Sequence, residues 1–330
     1  MLAATSNAGA VVGMSPPIVA LHRRLDAIAR AERTTLITGP TGAGKDVVAR
    51  SLHERSRRSD RPFVAVQCAA LPDNLVEAEL FGHSRGAFTG AVQTRDGLVR
   101  SAEQGTLFLD DVDSLALGAQ AKLLRFLETG EFRPVGADHC ATSRAWVVAA
   151  TNQDLRERVR NGTFREDLLY RLEVVRVAIP PLRERRTDIV VLAEHFLAEL
   201  GQSHKRLTAS ARAALESHDW PGNVRELRHR IEAAALLGES DAIELDDLGL
   251  DRSAPCHEDP TTVAPLAAAL DLEGELWRLV SDHGMSLAQA SATCEEMLVR
   301  AALRAENHNR TRAAARLGIN VRTIYKKLPR

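Results

Sequence analysis

Beyond Thr38 the chain reads Gly39-Pro40-Thr41-Gly42-Ala43-Gly44-Lys45-Asp46, a GxxxxGK string, and then Val47, Val48 and Ala49. Glycines at this spacing let backbone N–H groups turn inward, Lys45 adds a point charge, and a helix starting here contributes its dipole. Phosphates are what such a loop binds, although a glycine-rich turn without that role has the same composition. Further along, Thr106-Leu107-Phe108-Leu109-Asp110-Asp111 is an apolar run that ends in two carboxylates. A buried strand would deliver Asp110 beside the loop to hold the water shell of a Mg²⁺ ion, and Asp111 could then orient an attacking water. An acidic pair at a strand end also serves as a simple cap. Asp46 stands where the motif usually has a metal-binding Ser or Thr, so metal placement must lean on other groups. ATP and Mg²⁺ are the cofactors this chemistry implies.

The elements that position these groups follow from the pattern of apolar residues. Between Thr34 and Pro181, the β-type runs at 34–38, 63–66, 106–110 and 146–150 alternate with helix-type segments, which predicts a mainly parallel sheet covered on both faces. Residues 14–182 are read as this α/β subdomain, behind a short loose arm at 1–13. From Asp188 to Leu250 the pattern is helical throughout, with Pro221-Gly222 marking a helix start, so 183–250 is expected to be a smaller all-α lid. Residues 251–265, rich in Pro, Asp, Ser and Thr, read as a linker. Residues 266–330 read as a last helical unit.

Composition narrows the class. Hydrophobic residues are 45% and charged residues 26% of the 330, as in an ordinary soluble globular protein. No apolar run is long enough to cross a membrane, the first residues lack the basic region of a secretory signal, and the four cysteines show no zinc spacing. A reducing, cytoplasmic setting without membrane contact is the expectation. Charge is uneven: residues 300–330 hold nine Lys/Arg against Glu306 alone, within a chain of formal net charge -1. A polyanion partner suits that end, and so does a basic surface helix without one. Within it, Met297, Leu298, Ala301 and Ala302 keep helical spacing, Asn307 to Arg310 read as a turn, and Gly318 separates two further short helices. The second is polar and basic, which is the helix-turn-helix layout; a three-helix bundle without DNA is the alternative.

Several segments together resemble the bacterial enhancer-binding proteins, the AAA+ activators of RNA polymerase carrying sigma-54, over almost the whole length. The most specific is Glu79-Leu80-Phe81-Gly82-His83 followed by Gly86-Ala87-Phe88-Thr89-Gly90-Ala91. In that family the GAFTGA string is the mobile loop tip that touches sigma-54. The resemblance implies an AAA+ P-loop NTPase fold with a lid and a Fis-type DNA-binding domain. Asn152, after Ala150-Thr151, looks like sensor I, and Arg225, in Trp220-Pro221-Gly222-Asn223-Val224-Arg225, looks like sensor II. The string at 180–185 resembles the hinge into the lid. Arg165 and Arg171 resemble the arginine fingers that reach a neighbouring subunit's ATP, although their spacing alone fits an amphipathic helix with solvated arginines. In the Fis-type segment, Asn320, Val321, Arg322, Thr323 and Lys326 would face the major groove, with Arg310, Arg312 and Lys327 on phosphates. Double-stranded DNA, sigma-54 polymerase and copies of the same chain, dimeric on DNA and hexameric when active, are the implied partners. No receiver precedes Gly13 in this sequence, so control is expected from a partner protein, from expression level or from a part outside it.

Two positions depart from the family pattern. Asp111 replaces a Glu, and Gln67 replaces the Asn that holds that Glu in a nucleotide-dependent switch. One side chain is a methylene shorter and the other a methylene longer, so their hydrogen bond could span the same gap. Two other readings remain: a DNA-binding regulator that binds nucleotide but barely hydrolyses it, and an AAA+ remodeller of a different client.

Overall fold

The computed structural model describes residues 11–88, 91–238 and 240–250, together with Val299 and Leu303. Seven strands lie in the first part of the chain: β1 (Thr35–Thr38), β2 (Phe63–Gln67), β3 (Thr106–Asp110), β4 (Glu131–Phe132), β5 (Ala141–Thr142), β6 (Trp146–Thr151) and β7 (Val175–Ala178). β4 and β5 form a small antiparallel pair, and the other five make one parallel sheet in the order β2-β3-β6-β1-β7. The central strands are buried nearly throughout and the edge strands β2 and β7 only in part, as expected for a sheet covered on both faces.

Strand alternation divides the core into two layers. Leu36, Leu107, Leu109, Val147 and Ala149 face one side, packing with residues of α3 (Asp73–Phe81), α5 (Leu117–Thr129) and α7 (Glu166–Leu172). Ile37, Phe108, Val148, Ala150 and Val177 face the other, against α1 (Pro16–Ala31) and α2 (Lys45–Arg55). In α1 the buried residues Ile18, Leu21, Leu25 and Ile28 recur at helical spacing behind a proline at its start. The short helices α4 (Leu98–Ser101) and α6 (Leu155–Arg160) complete this part.

A separate core forms around α8 (Thr187–Glu199), α9 (Ala209–Ser217) and α10 (Asn223–Leu237), where Leu192, Phe196, Trp220, Leu227 and Ile231 meet. The helical pattern expected there is interrupted: β8 (Arg206–Leu207) pairs parallel with β9 (Ala242–Ile243), and a 3-10 turn follows at Asp246–Leu248. Two-residue strands leave no periodic trace in a sequence, so the helical pattern is all that shows there. β7 was also unforeseen, because in Val-Arg-Val-Ala only Val177 is fully buried. Val11 and Val12, expected at the end of a loose arm, instead pack on the sheet-side core and the lid core respectively, since two adjacent valines gain more by covering apolar surface than by remaining in water. Residues 1–10 of that arm, the expected linker at 251–265 and the positions expected to read DNA, Arg310, Arg312, Asn320, Val321, Arg322, Thr323, Lys326 and Lys327, lie outside the described residues.

Candidate nucleotide site

Register alone gathers the site. Thr38 pairs with Thr151 and Gln67 with Asp110, so the phosphate loop, Asn152, Gln67 and the two aspartates all leave the sheet at the carboxyl ends of adjacent strands. Open α/β sheets place their ligands at this edge. A cleft of about 550 Å³ lies there, lined by Gly42, Gly44, Lys45, Asp46, Gln67, Asp110, Arg225 and neighbouring side chains.

Lys45 opens α2 and is buried, with Nζ donating to the carbonyls of Gly39 and Pro40 at 3.1 and 3.3 Å. Burial pushes its pKa down, while Asp110 and Asp111 act the other way. The Asp110 carboxyl is held above its ordinary range by burial and then by Asp111, against which Lys45 works. Asp111 adopts a left-handed backbone, φ 50°, and donates its N–H to Asp110 Oδ1 at 3.1 Å. Cys68, behind this acidic cluster, has its thiol pushed up to about 12 by burial and the aspartates, so it remains protonated.

Gln67 Nε2 lies 3.5 Å from Asp111 Oδ2, so the paired departures meet in space at the outer limit of a hydrogen bond. Asn152 donates to Thr41 Oγ1 at 2.8 Å, which joins the end of β6 to the phosphate loop. The residue before it, Thr151, donates to the buried Asp113 at 2.5 Å.

The lid grips the loop from the other side. The Arg225 N–H donates to the Gly42 carbonyl at 3.2 Å. Asn223 Nδ2 donates to the Thr41 carbonyl at 3.0 Å, while its Oδ1 accepts the Leu182 N–H at 2.8 Å. Gly42 has φ +74°, and a Cβ there would stand 2.3 Å from the Gly222 carbonyl oxygen, so a side chain would push the lid away. Arg185 is buried and donates to the Ala43 carbonyl at 3.0 Å. Asn223 and Arg185 sit inside strings already singled out, yet nothing in their spacing revealed these roles.

A second cavity of about 110 Å³ adjoins the cleft, sharing Gly44, Val47, Phe196, Val224 and Arg228 and adding Val11, Val12, Ile179, Leu192 and Arg185. Its lining is apolar, apart from Arg185 and a few polar neighbours. Arg185 Nε is buried without a hydrogen-bond partner among the described residues, and a buried donor of this kind calls for an acceptor. A flat heteroaromatic base fits the cavity, a triphosphate fits the loop, and the carboxylates supply the oxygen donors that Mg²⁺ prefers. The residues present therefore suit ATP with Mg²⁺.

Arg165 and Arg171 are brought to the surface around α7 and do not line the cleft of their own chain. Arg165 forms two hydrogen bonds to Asp167, at 3.0 and 2.7 Å, and Arg171 donates to the Leu127 carbonyl. In the GAFTGA segment Gly86 N–H donates to the Ala91 carbonyl at 2.8 Å, Ala87 packs beside Gly136, and Phe88 is 36% exposed with its ring 5.0 Å from that of His83. Thr89 and Gly90 lie outside the described residues. Among the described residues no helix is long and apolar enough to cross a membrane.

Comparison with known proteins agrees with this geometry. Residues 11–178 match the family described as the sigma-54 interaction domain, 183–263 the AAA+ ATPase lid domain, and 292–330 the bacterial regulatory proteins of the Fis family. The nitric oxide reductase transcription regulator NorR1 of Cupriavidus necator is 41% identical over 96% of this chain and 63% of its own length. The regulatory protein AtoC of Escherichia coli is 38% identical, covering 97% of this chain and 67% of its own. NtrX of Brucella abortus, solved in complex with ATP, superposes with a TM-score of 0.69 at 30% identity over 97% of this chain and 68% of that one. The chain thus spans about three fifths of the length of relatives such as NorR1. With half its length matched by one family and the same sheet edge, lid and loop in place, this chain belongs to the AAA+ sigma-54 activator family, carrying a lid and a Fis-type helix-turn-helix segment.

Proposed function

We propose that this chain is an ATP-driven transcriptional activator that binds DNA upstream of a promoter and remodels the closed complex of sigma-54 polymerase into an open one. The observation that carries this reading is one continuous path of chain. Gln67, within 3.5 Å of Asp111, ends β2 and leads through Cys68 and α3 to His83 and the exposed Phe88. Cys68, Val76, Leu80 and Phe81 along it are packed in the same core as Leu109 and Val112. A displacement at Asp111 would therefore pass along a segment anchored in the core at Cys68, Val76, Leu80 and Phe81 to the loop that meets the sigma factor. The names of relatives such as NorR1 and AtoC support a regulator of transcription, and the NtrX complexes with ATP and ADP support the nucleotide.

Bound ATP with Mg²⁺ supplies the phosphoryl bond whose hydrolysis drives the cycle. Lys45 neutralises phosphate charge from its seat on the Gly39 and Pro40 carbonyls. Asp110 would hold the water shell of the metal, since position 46, where the motif has a hydroxyl ligand, carries an aspartate here. Asp111 orients the attacking water and accepts its proton, Gln67 senses that carboxylate, and Asn152 reads the end of the phosphate chain. Arg225 moves with the lid, while Arg165 and Arg171 reach the nucleotide of a neighbouring protomer in a ring, which we take as a hexamer. Arg165 must first leave Asp167. Thr89 contacts the sigma factor beside Phe88, and the basic Fis-type segment binds DNA. With DNA and polymerase as partners, the cytoplasm is the place of action.

The test is transcription in vitro with sigma-54 polymerase. Open complexes are expected with ATP and not with a non-hydrolysable analogue; equal yields in both would overturn the motor. One observation favours a second reading, a weakly hydrolysing regulator: the carboxylate of Asp111 is drawn back, and its contact to Gln67 is long. A displacement of about 1 Å at such a group can cost on the order of 10²-fold in rate, so steady-state ATPase distinguishes the two.

A further inference from the structure

Asp188, at the start of the lid helix α8, is fully buried and has no part in the phosphate chemistry. Its Oδ1 accepts the N–H groups of Met14 and Ser15 at 2.6 and 2.7 Å, and its Oδ2 accepts the Ser15 hydroxyl at 2.6 Å. Three short bonds to one carboxylate form a strong joint, because hydrogen bonds to a charged group are about twice as strong as neutral ones. The chain is shaped around it: at Gly13 a Cβ would stand 2.8 Å from Asp188 Oδ2, so a side chain there would force the two apart. One turn earlier in the hinge, Arg185 donates to the Ala43 carbonyl of the phosphate loop and keeps an unpartnered Nε. The Asp188 N–H in turn donates to the Arg185 carbonyl at 2.9 Å.

The joint lies across two bodies. Ser15 caps α1, which packs on the sheet, whereas Asp188 belongs to the lid. Immediately before the joint, Val11 and Val12 form part of the wall of the small cavity, which Leu192, Phe196 and Val224 of the lid also line. Asp188, a lid residue, therefore fixes the chain directly after the two valines. A base that enters the cavity meets the valines and the lid at once.

We propose that Asp188 is a positioning residue for nucleotide selection: through Ser15 and Met14 it ties the valine wall to the lid, so that binding of the purine end of a nucleoside triphosphate and closure of the lid become one event. This inference rests on the nucleotide-site reading above and adds the element that couples the base to the lid. Binding of the triphosphate tail alone, held by the loop around Lys45, does not draw on the joint.

The experiment compares equilibrium binding of ATP and of inorganic tripolyphosphate, each with Mg²⁺, to the full chain and to its Ser15→Ala and Asp188→Asn variants. Ser15→Ala, which removes one bond and leaves both backbone N–H donors in place, is expected to weaken ATP about tenfold and to leave tripolyphosphate within about twofold. Asp188→Asn should widen that split. In the ligand-free protein, amide exchange at Met14 and Ser15 should be slow and should accelerate in Asp188→Asn. If Asp188→Asn fails to fold, Ser15→Ala decides by itself. ATP and tripolyphosphate weakening together, or neither weakening, would overturn the proposal while leaving the nucleotide site intact. Failure of the unaltered chain to bind either ligand would instead remove the reading on which the proposal stands.

Discussion

Gln67 and Asp111 carry opposite changes of one methylene, and the structure places their polar atoms 3.5 Å apart. If the longer amide compensates for the shorter acid, restoring only one partner should harm the pair. Gln67→Asn would open the gap and Asp111→Glu would crowd it. ATPase measured for both single variants and the double is expected to reveal a coupling of about 0.5–3 kcal/mol, with the double variant more active than the product of the singles predicts. Strict additivity would sink the compensation. The surroundings make such sensitivity reasonable: burial and the like charge of Asp111 disfavour the ionised Asp110, and burial disfavours the charged Lys45, so a small shift of the Asp111 carboxylate acts on both.

At the scale of elements, the lid and its hinge are fastened to the backbone carbonyls of the phosphate loop by the Asn223 and Arg185 side chains and the Arg225 N–H. Asn223, buried and left-handed at φ 52°, satisfies the Leu182 N–H and the Thr41 carbonyl at once. Asn223→Ala would leave both groups unpaired in a buried joint, a loss of about 1–3 kcal/mol. Denaturant unfolding should show a lower midpoint at unchanged slope, and ATP affinity should fall with it. A variant as stable as the parent would mean that water replaces the amide without cost. Asn223 was legible as part of a helix start after Pro221-Gly222, but its two long-range partners were not. They lie 41 and 182 positions away.

For the whole molecule, the decisive feature is that Lys45 and the arginines at 165 and 171 do not share a cleft within one chain. In the ring proposed above, a heterologous interface would bring the finger pair of one protomer to the loop of the next. A Lys45→Ala variant and an Arg165→Ala/Arg171→Ala variant should each be inactive as ATPases. Mixed in equal amounts, they should recover activity at about a quarter of interfaces, by random pairing around the ring. No recovery on mixing would mean that the arginines serve their own chain or serve no catalytic purpose.

The sequence by itself determined what depends on local order. GxxxxGK between an apolar run and a helix, the acid-ended run at 106–111, and the intact Gly86 to Ala91 string needed only neighbours along the chain, because phosphate loops, buried strands and helix starts are set by short-range sterics and periodicity. Four of the five strands of the main sheet were legible for the same reason. Tertiary structure alone decided strand order, and hence that Gln67 stands beside Asp110 and Thr38 beside Thr151. It also decided that two valines near the start of the chain wall a cavity together with lid helices, and that Asp188 binds Ser15 from 173 positions away. Partners so distant leave no mark in spacing, since a buried carboxylate is recognised by the donors that fold around it and not by the residues on either side.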